Sequence, residues 1–188
     1  MSIDRIIAVY RGRAERRYGL SQVSQLEHAL QAAALAERAG APDEQIVAAL
    51  LHDIGHMVHD LGESPAERGV DDRHECLGSA YLSQWFPREI SEPVRLHVPA
   101  KRFLVATEPA YRNRLSPDSI RSLQLQGGPM TPAEQAAFKQ QAFWREAVML
   151  RRFDEDAKLP GAITPALRDF MPVIEACLSA NRCQAAAG

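Results

Sequence analysis

Leu50-Leu51-His52-Asp53-Ile54-Gly55-His56 ends an apolar helical run on an imidazole and a carboxylate placed side by side. Ile46, Val47, Leu50 and Leu51 recur at helical spacing before it, so the doublet is directed inward at the end of that helix, which Gly55 halts. Adjacent helical residues project about 100° apart. His52 and Asp53 can therefore reach one metal only at the edge of a cluster, where a carboxylate can also bridge two metals.

His28 lies 24 positions earlier, and His74 and His97 lie 22 and 45 positions later than His52. His28 stands beside Leu26, Ala29, Leu30 and Ala33, which turns its ring inward. A lone inward histidine is more often a satisfied core residue than a ligand; the set is what points to a metal. His74 and His97 open or close further helices and could hold a second ion, while Asp154, after a long helix, would complete the first. Imidazole and carboxylate donors suit iron, manganese, zinc or nickel, and the lack of thiolate argues against a closed structural zinc site. Facing helices of a bundle are a common host for such sites. His56 is a neighbour of the set rather than a ligand, and His59 fits no role.

The rest of the chain reads as helix. Ile3, Ile6, Ile7 and Tyr10 have helical spacing; Ser24-Gln25-Leu26-Glu27 has the form of a capping box, and Gly40 stops the Ala-rich run that follows. Asp43 can cap the helix leading to His52, and His74 to Trp85 form another helical stretch. Ser116-Pro117, Thr131-Pro132 and Thr164-Pro165 each set a capping residue before proline at the first helical position. Val58 to Asp72 reads as a polar loop, and the glycines of Gln126-Gly127-Gly128-Pro129-Met130 allow backbone to approach a ligand closely. The expectation is an all-α chain forming one domain over residues 1–188, with residues 180–188 as a frayed tail.

Composition narrows the class. Net charge is −2, so the local arginine excesses (Arg11, Arg13, Arg16, Arg17; Arg145, Arg151, Arg152) read as solvated helix faces, not as a nucleic-acid surface. No apolar run reaches the ~18 residues of a membrane span, and the N-terminus lacks the apolar region of a signal peptide. Cys76, Cys177 and Cys183 match no metal or redox spacing. A cytoplasmic protein with reduced thiols, no nucleic-acid partner and no membrane partner is expected; oligomeric state is left open.

The order His28, His52-Asp53, Asp154 resembles the H…HD…D pattern of the HD-domain superfamily, and His74 and His97 match its dinuclear members. Gln25-Leu26-Glu27-His28-Ala29-Leu30-Gln31, Leu51-His52-Asp53-Ile54-Gly55-His56, His97-Val98-Pro99-Ala100-Lys101-Arg102, Ser122 to Gly128 and Leu150-Arg151-Arg152-Phe153-Asp154 are similar to a narrower group. These are the HD-domain mixed-valent di-iron oxygenases that cleave the carbon–phosphorus bond of 1-hydroxyphosphonates; myo-inositol oxygenase is a more distant relative. The resemblance implies two iron ions, Fe(II)/Fe(III), with O2 as co-substrate. It implies that His28, His52, Asp53 and Asp154 hold one iron and Asp53, His74 and His97 the other, Asp53 bridging. By the same resemblance Lys101 would face the phosphonate or hydroxyl group, and His56 would hydrogen-bond substrate. Tyr18 would occupy the open iron before substrate binds, and Ser122, Gln126 and Arg151 would line the phosphonate end.

Family members acting on 2-amino-1-hydroxyethylphosphonate are expected to carry a glutamate shortly after the tyrosine, to receive the ammonium. Here Tyr18-Gly19-Leu20-Ser21 supplies serine. A trimethylammonium has no N–H to donate and suits neutral or aromatic walls. The resemblance thus favours (1-hydroxy-2-(trimethylamino)ethyl)phosphonate, giving glycine betaine and phosphate, over the free amine, which would give glycine. Two rivals share the metal ligands: an HD phosphohydrolase using metal-bound water, and a non-catalytic metal-binding module.

Overall fold

The computed structural model describes residues 6, 8–10, 23–58 and 65–178. Tyr18, Ser21, His59, Arg11 to Arg17 and the tail at 180–188 lie outside the described residues. Among those described there is no β-strand, and the all-α expectation holds.

Helix α1 (Gln25–Arg38) opens on the capping box foreseen in the sequence: Ser24 Oγ accepts from Glu27 N–H, and Glu27 accepts from Ser24 N–H at 2.7 Å. Its inward face, from His28 to Ala36, packs against α2 (Asp43–Leu51). Pro42, not Asp43, is the N-cap of α2; Asp43 lies inside the first turn with Glu44, where negative charge favours the helix dipole. The helix ends at Leu51, so His52-Asp53-Ile54 forms a turn before the short α3 (Gly55–Val58).

A 3-10 turn (Pro65–Arg68) precedes α4 (His74–Leu82), which stops three residues before the expected Trp85. Helix α5 (Arg88–Thr107) is the spine of the molecule, packing against α2, α4 and α9 (Trp144–Asp156). It runs through Pro93 and Pro99, so His97 lies mid-helix rather than at a helix end. Tertiary packing on three neighbours sustains the helix across prolines that would break it in isolation. Short α6 (Pro109–Arg112), α7 (Pro117–Leu125) and α8 (Pro132–Lys139) cover the other end. Ser116 and Thr131 cap α7 and α8 with proline at the first position, as expected. Thr164-Pro165 does not open a helix: the chain turns helical at Leu167, where Asp169 receives the Ala166 N–H.

Two apolar clusters result. The larger joins α1, α2, α9, Ile6, Tyr10 and the helical residues 171–178; the smaller lies between α5 and α6 to α9. Tyr10 donates to the Leu50 carbonyl at 2.5 Å, tying the N-terminal segment to the end of α2 beside His52. Among the described residues no helix is long and apolar enough to cross a membrane.

Candidate metal centre

Four helices and one turn deliver six side chains to one buried cluster. His28 comes from α1, His52 and Asp53 from the turn after α2, His74 from the first position of α4, His97 from the middle of α5 and Asp154 from the last turn of α9. His28 and His52 are 0% exposed, and Asp53, His97 and Asp154 are 4%, 1% and 1%.

The cluster divides around Asp53. Its Oδ2 lies 3.5 Å from His28 Nε2 and 3.4 Å from His52 Nε2, while Asp154 Oδ1 is 3.4 Å from the same His28 nitrogen. Its Oδ1 lies 3.7 Å from both His74 Nε2 and His97 Nε2. Within each half the imidazole nitrogens approach to 3.2 Å (His28–His52) and 3.1 Å (His74–His97). A transition metal held at about 2.1 Å spaces neighbouring donors about 3.0–3.4 Å apart.

Every ring is oriented from behind. The Nδ1 atoms of His28, His52 and His97 face the carbonyls of Ala157, Ala49 and Val94 at 2.8, 2.8 and 2.6 Å. That of His74 faces Asp72 Oδ1 at 2.9 Å. Each Nδ1 therefore carries the proton, and each Nε2 offers a lone pair inward. Asp53 Oδ2 and Asp154 Oδ1 are buried with no hydrogen-bond partner among the described residues. Both orphaned oxygens lie in the His28–His52 half, where a bound cation would satisfy them; the His74–His97 half offers Asp53 Oδ1 and two imidazole lone pairs to a second.

Without metal, protons take that place. Burial opposes charge on His28, yet Asp154 and Asp53 raise it to about 9, and burial lowers its partner His52. Burial likewise opposes charge on His74, but Asp72 and Asp53 raise it to about 9, while burial and His74 hold His97 well below the ordinary range. Each pair thus shares about one proton between two inward nitrogens.

Beside Asp154 lies a cationic wall. Arg151, one turn earlier on α9, is buried rather than solvated: it pairs with Asp154 and Glu155, bonds Tyr111 Oη at 2.7 Å and reaches Ser119 Oγ at 3.1 Å. Lys158 Nζ is 3.0 Å from Glu155 and 3.8 Å from Asp154. Lys101, four residues after His97 on the same face of α5, is 3% exposed and donates to Ser122 Oγ at 2.8 Å. Burial, and then Arg151, lower its ammonium to about 7. Gln126 caps α7, and its Oε1 is buried with no hydrogen-bond partner among the described residues.

The Gly127-Gly128 turn does not offer its amides to a ligand. Gly128 N–H closes the end of α7 on Leu123 O, and the two carbonyls accept from Arg102, whose guanidinium would meet a Cβ on Gly127 at 3.3 Å. His56 sits at the rim, its ring stacked on His74 at 3.9 Å and its Nδ1 2.6 Å from Asp72 Oδ2. Asp72, Glu155, Lys158 and Ser119 escaped the sequence reading. Only Asp72 carried a signal there, as an acidic residue two positions before a candidate ligand histidine.

A family model described as HD domain matches residues 25–135. Hydroxymethylphosphonate dioxygenase of Gimesia maris is 48% identical over 157 residues, 83% of this chain and 78% of that protein. The glycine-betaine-forming (1-hydroxy-2-(trimethylamino)ethyl)phosphonate dioxygenase of Leisingera caerulea is 41% identical over 173 residues, 92% of this chain and 88% of that one. An uncharacterised protein of Acanthamoeba polyphaga mimivirus is 32% identical over 161 residues, 84% of this chain and 73% of its own length.

Proposed function

The chain belongs to the HD-domain family, among the hydroxyphosphonate dioxygenases, and from that premise we propose a di-iron enzyme that uses O2 to cleave the carbon–phosphorus bond of a 1-hydroxyphosphonate. The observation that carries the reading is Asp53, whose two oxygens face two separate imidazole pairs. His28, His52, Asp53 and Asp154 would hold one iron, and Asp53, His74 and His97 the other. The family model ends before Asp154, so the domain we infer is the whole chain, 1–188, with its last ligand supplied by α9.

A carbon–phosphorus bond has no leaving oxygen for hydrolysis to protonate. When bound, a mixed-valent Fe(II)/Fe(III) pair supplies the redox and Lewis-acid chemistry that oxidises the hydroxyl-bearing carbon. Overall, RCH(OH)PO3 2− and O2 give RCOO−, HPO4 2− and a proton. The chain's own part is binding and orientation. Lys101, Arg151 and Lys158 face Asp154 and Glu155, a local excess of positive charge suited to a phosphonate dianion. Ser122, the hydrogen-bond partner of Lys101, and Gln126 stand one turn apart, and His56 lines the rim. Tyr18 would guard the open iron before substrate arrives.

The preferred substrate in this reading is the trimethylated compound, supported by Ser21 in place of a carboxylate and by the relative that aligns over 92% of the chain. The relative at 48% identity favours a second reading, hydroxymethylphosphonate, for which the acid would be formate. Neither compound has a primary ammonium, so Ser21 suits both. A cytoplasmic location belongs to the same reading, since the described cysteines, Cys76 and Cys177, are free.

The deciding measurement is iron content and an electron-spin spectrum before and after substrate, combined with phosphate release in air and under argon. The reading requires two irons per chain, a spectrum altered by substrate, and turnover that stops without oxygen. Phosphate release from phosphate esters under argon, with none from the phosphonate, would make this a phosphohydrolase; two irons with no spectral response would leave a binding module. Asp53→Ala should lose both ions, and His97→Ala only one.

A further inference from the structure

Asp72 is buried and serves two rings at once, not His74 alone. It stands two residues before His74, and one oxygen of its carboxylate, Oδ1, receives both the His74 ring Nδ1–H at 2.9 Å and the His74 backbone N–H at 3.3 Å. The other, Oδ2, lies 2.6 Å from His56 Nδ1. Arg73 between them has φ 50° and ψ 37°, in the left-handed region. For a residue with a side chain that conformation costs about 1 kcal/mol or more. The strained residue turns Asp72 back over the first turn of α4, where it collects two rings that stack at 3.9 Å and 21°.

A carboxylate only accepts hydrogen bonds, so both Nδ1 atoms are donors, and it is the Nε2 lone pair of each neutral ring that is left for an ion or a donor. On His74 that lone pair points with His97 Nε2 and Asp53 Oδ1 into the second half of the cluster. On His56, Nε2 lies 4.0 Å from Asp53 Oδ1 on the open rim. His28, His52 and His97 lean on backbone carbonyls, which fix each ring separately. His74 and His56 instead share one side chain.

We propose that Asp72 is a positioning residue that couples the second metal to substrate capture, one oxygen aiming His74 at the ion and the other holding His56 as a hydrogen-bond acceptor for the substrate hydroxyl. The metal half rests on the ligand set proposed above, and the substrate half on the 1-hydroxyphosphonate reading.

The test uses the full chain, with Mn(II) or Fe(II) titrated against a chelator and KM and kcat measured on the iron-loaded enzyme. Asp72→Asn leaves one acceptor oxygen for three N–H donors. It should keep the first ion and weaken the second about 10–100-fold, and it should raise KM for the hydroxyphosphonate. His56→Ala should keep both ions and raise KM. In the His56→Ala background, Asp72→Asn should still weaken the second ion but change KM, at saturating metal, by less than about twofold. Equal weakening of both ions, or second-ion affinity within about twofold of the unaltered chain, overturns the proposal. So does a full additional KM effect in the His56→Ala background. Should Asp72→Asn lose its helical signal, Asp72→Ala, which removes both acceptor oxygens, decides on the same criteria. An unaltered chain that turns over no phosphonate would overturn the function above and the substrate half here, while selective loss of the second ion would still be read from the titration.

Discussion

Gly55 lies directly against the backbone of His74: a Cβ built on Gly55 would stand 1.9 Å from the His74 carbonyl oxygen and 2.8 Å from its Cα. The residue two positions after Asp53 thus sets how closely α4 approaches the turn that carries His52 and Asp53. Backbone cannot swing aside as a side chain can, so any larger residue must push α4 away. Gly55→Ala is expected to destabilise the fold by about 3 kcal/mol and to cost the second ion before the first, because His74 rides on α4 while His28 and Asp154 do not. Gly78→Ala serves as the comparison, since its Cβ would meet Gly55 N at 3.2 Å, a contact that small shifts can relieve. Thermal melts and metal stoichiometry of the two variants check this; equal effects would show that the close approach at Gly55 is not special.

Metal affinity should rise with pH. In the metal-free protein His28 and His74 are raised to about 9, so below that pH each imidazole pair holds a proton where an ion must bind. Binding must expel that proton. Asp53 and Asp154 are held well below the ordinary carboxylate range and do not titrate there. Affinity is therefore expected to climb by about one log unit per pH unit for each ion from about pH 6.5 towards 9 and then level off. Chelator competition at several pH values, with proton release followed by indicator, measures it. A flat profile would mean the pairs do not share protons as inferred.

How much of this was legible beforehand depended on the kind of signal each residue leaves. Capping boxes at Ser24–Glu27 and Thr131–Glu134 are local, so their helices begin where the sequence says. Asp43 and Thr164-Pro165 have the same local chemistry but were overruled, because Pro42 and Ala166 stand at the entries instead. His97 lies mid-helix rather than at a helix end, because packing on three neighbours carries α5 through Pro93 and Pro99. The six convergent side chains were named from motif order and resemblance. Their division around Asp53 came from the resemblance alone; which oxygen faces which imidazole pair depends on the crossing of four helices, which no local pattern encodes. Glu155 and Lys158 were invisible for the same reason: a carboxylate and an ammonium near a helix end read as solvent-facing until α7 is laid over them.

Lys101 should bind substrate as a cation whose charge is marginal. Burial has lowered it to about 7, so above that pH the empty site increasingly holds a neutral amine. An incoming dianion favours the ammonium. Apparent substrate affinity in the unaltered enzyme is therefore expected to fall as pH rises through about 7, and a substrate-bound proton to be taken up. Lys101→Ala should keep both ions, raise KM at least tenfold, equivalent to about 1.4 kcal/mol, and lose the pH dependence centred near 7. Metal content and KM against pH are the measurements. Loss of an ion in this variant would assign Lys101 to the metal set instead.

Substrate choice turns on what lies beyond the hydroxyl-bearing carbon. The phosphonate and hydroxyl are common to every candidate, so the proposed cationic wall of Lys101, Arg151 and Lys158 would stabilise all of them alike and contribute nothing to selection. Discrimination must come from the group R. A free ammonium would need an acceptor that Ser21 supplies only weakly, and leaving a buried N–H donor unsatisfied costs about 1–3 kcal/mol. The 2-amino compound is therefore expected to be disfavoured by about tenfold or more in kcat/KM against the trimethylated one. Ser21→Glu should narrow that gap, by giving the ammonium a partner. If R is simply hydrogen, as in hydroxymethylphosphonate, Ser21→Glu should leave kcat/KM for that compound nearly unchanged, because that compound has no ammonium to gain a partner. Phosphate release measured for the three compounds on both proteins separates these cases. A preference for the free amine in the unaltered enzyme would remove Ser21 as the determinant.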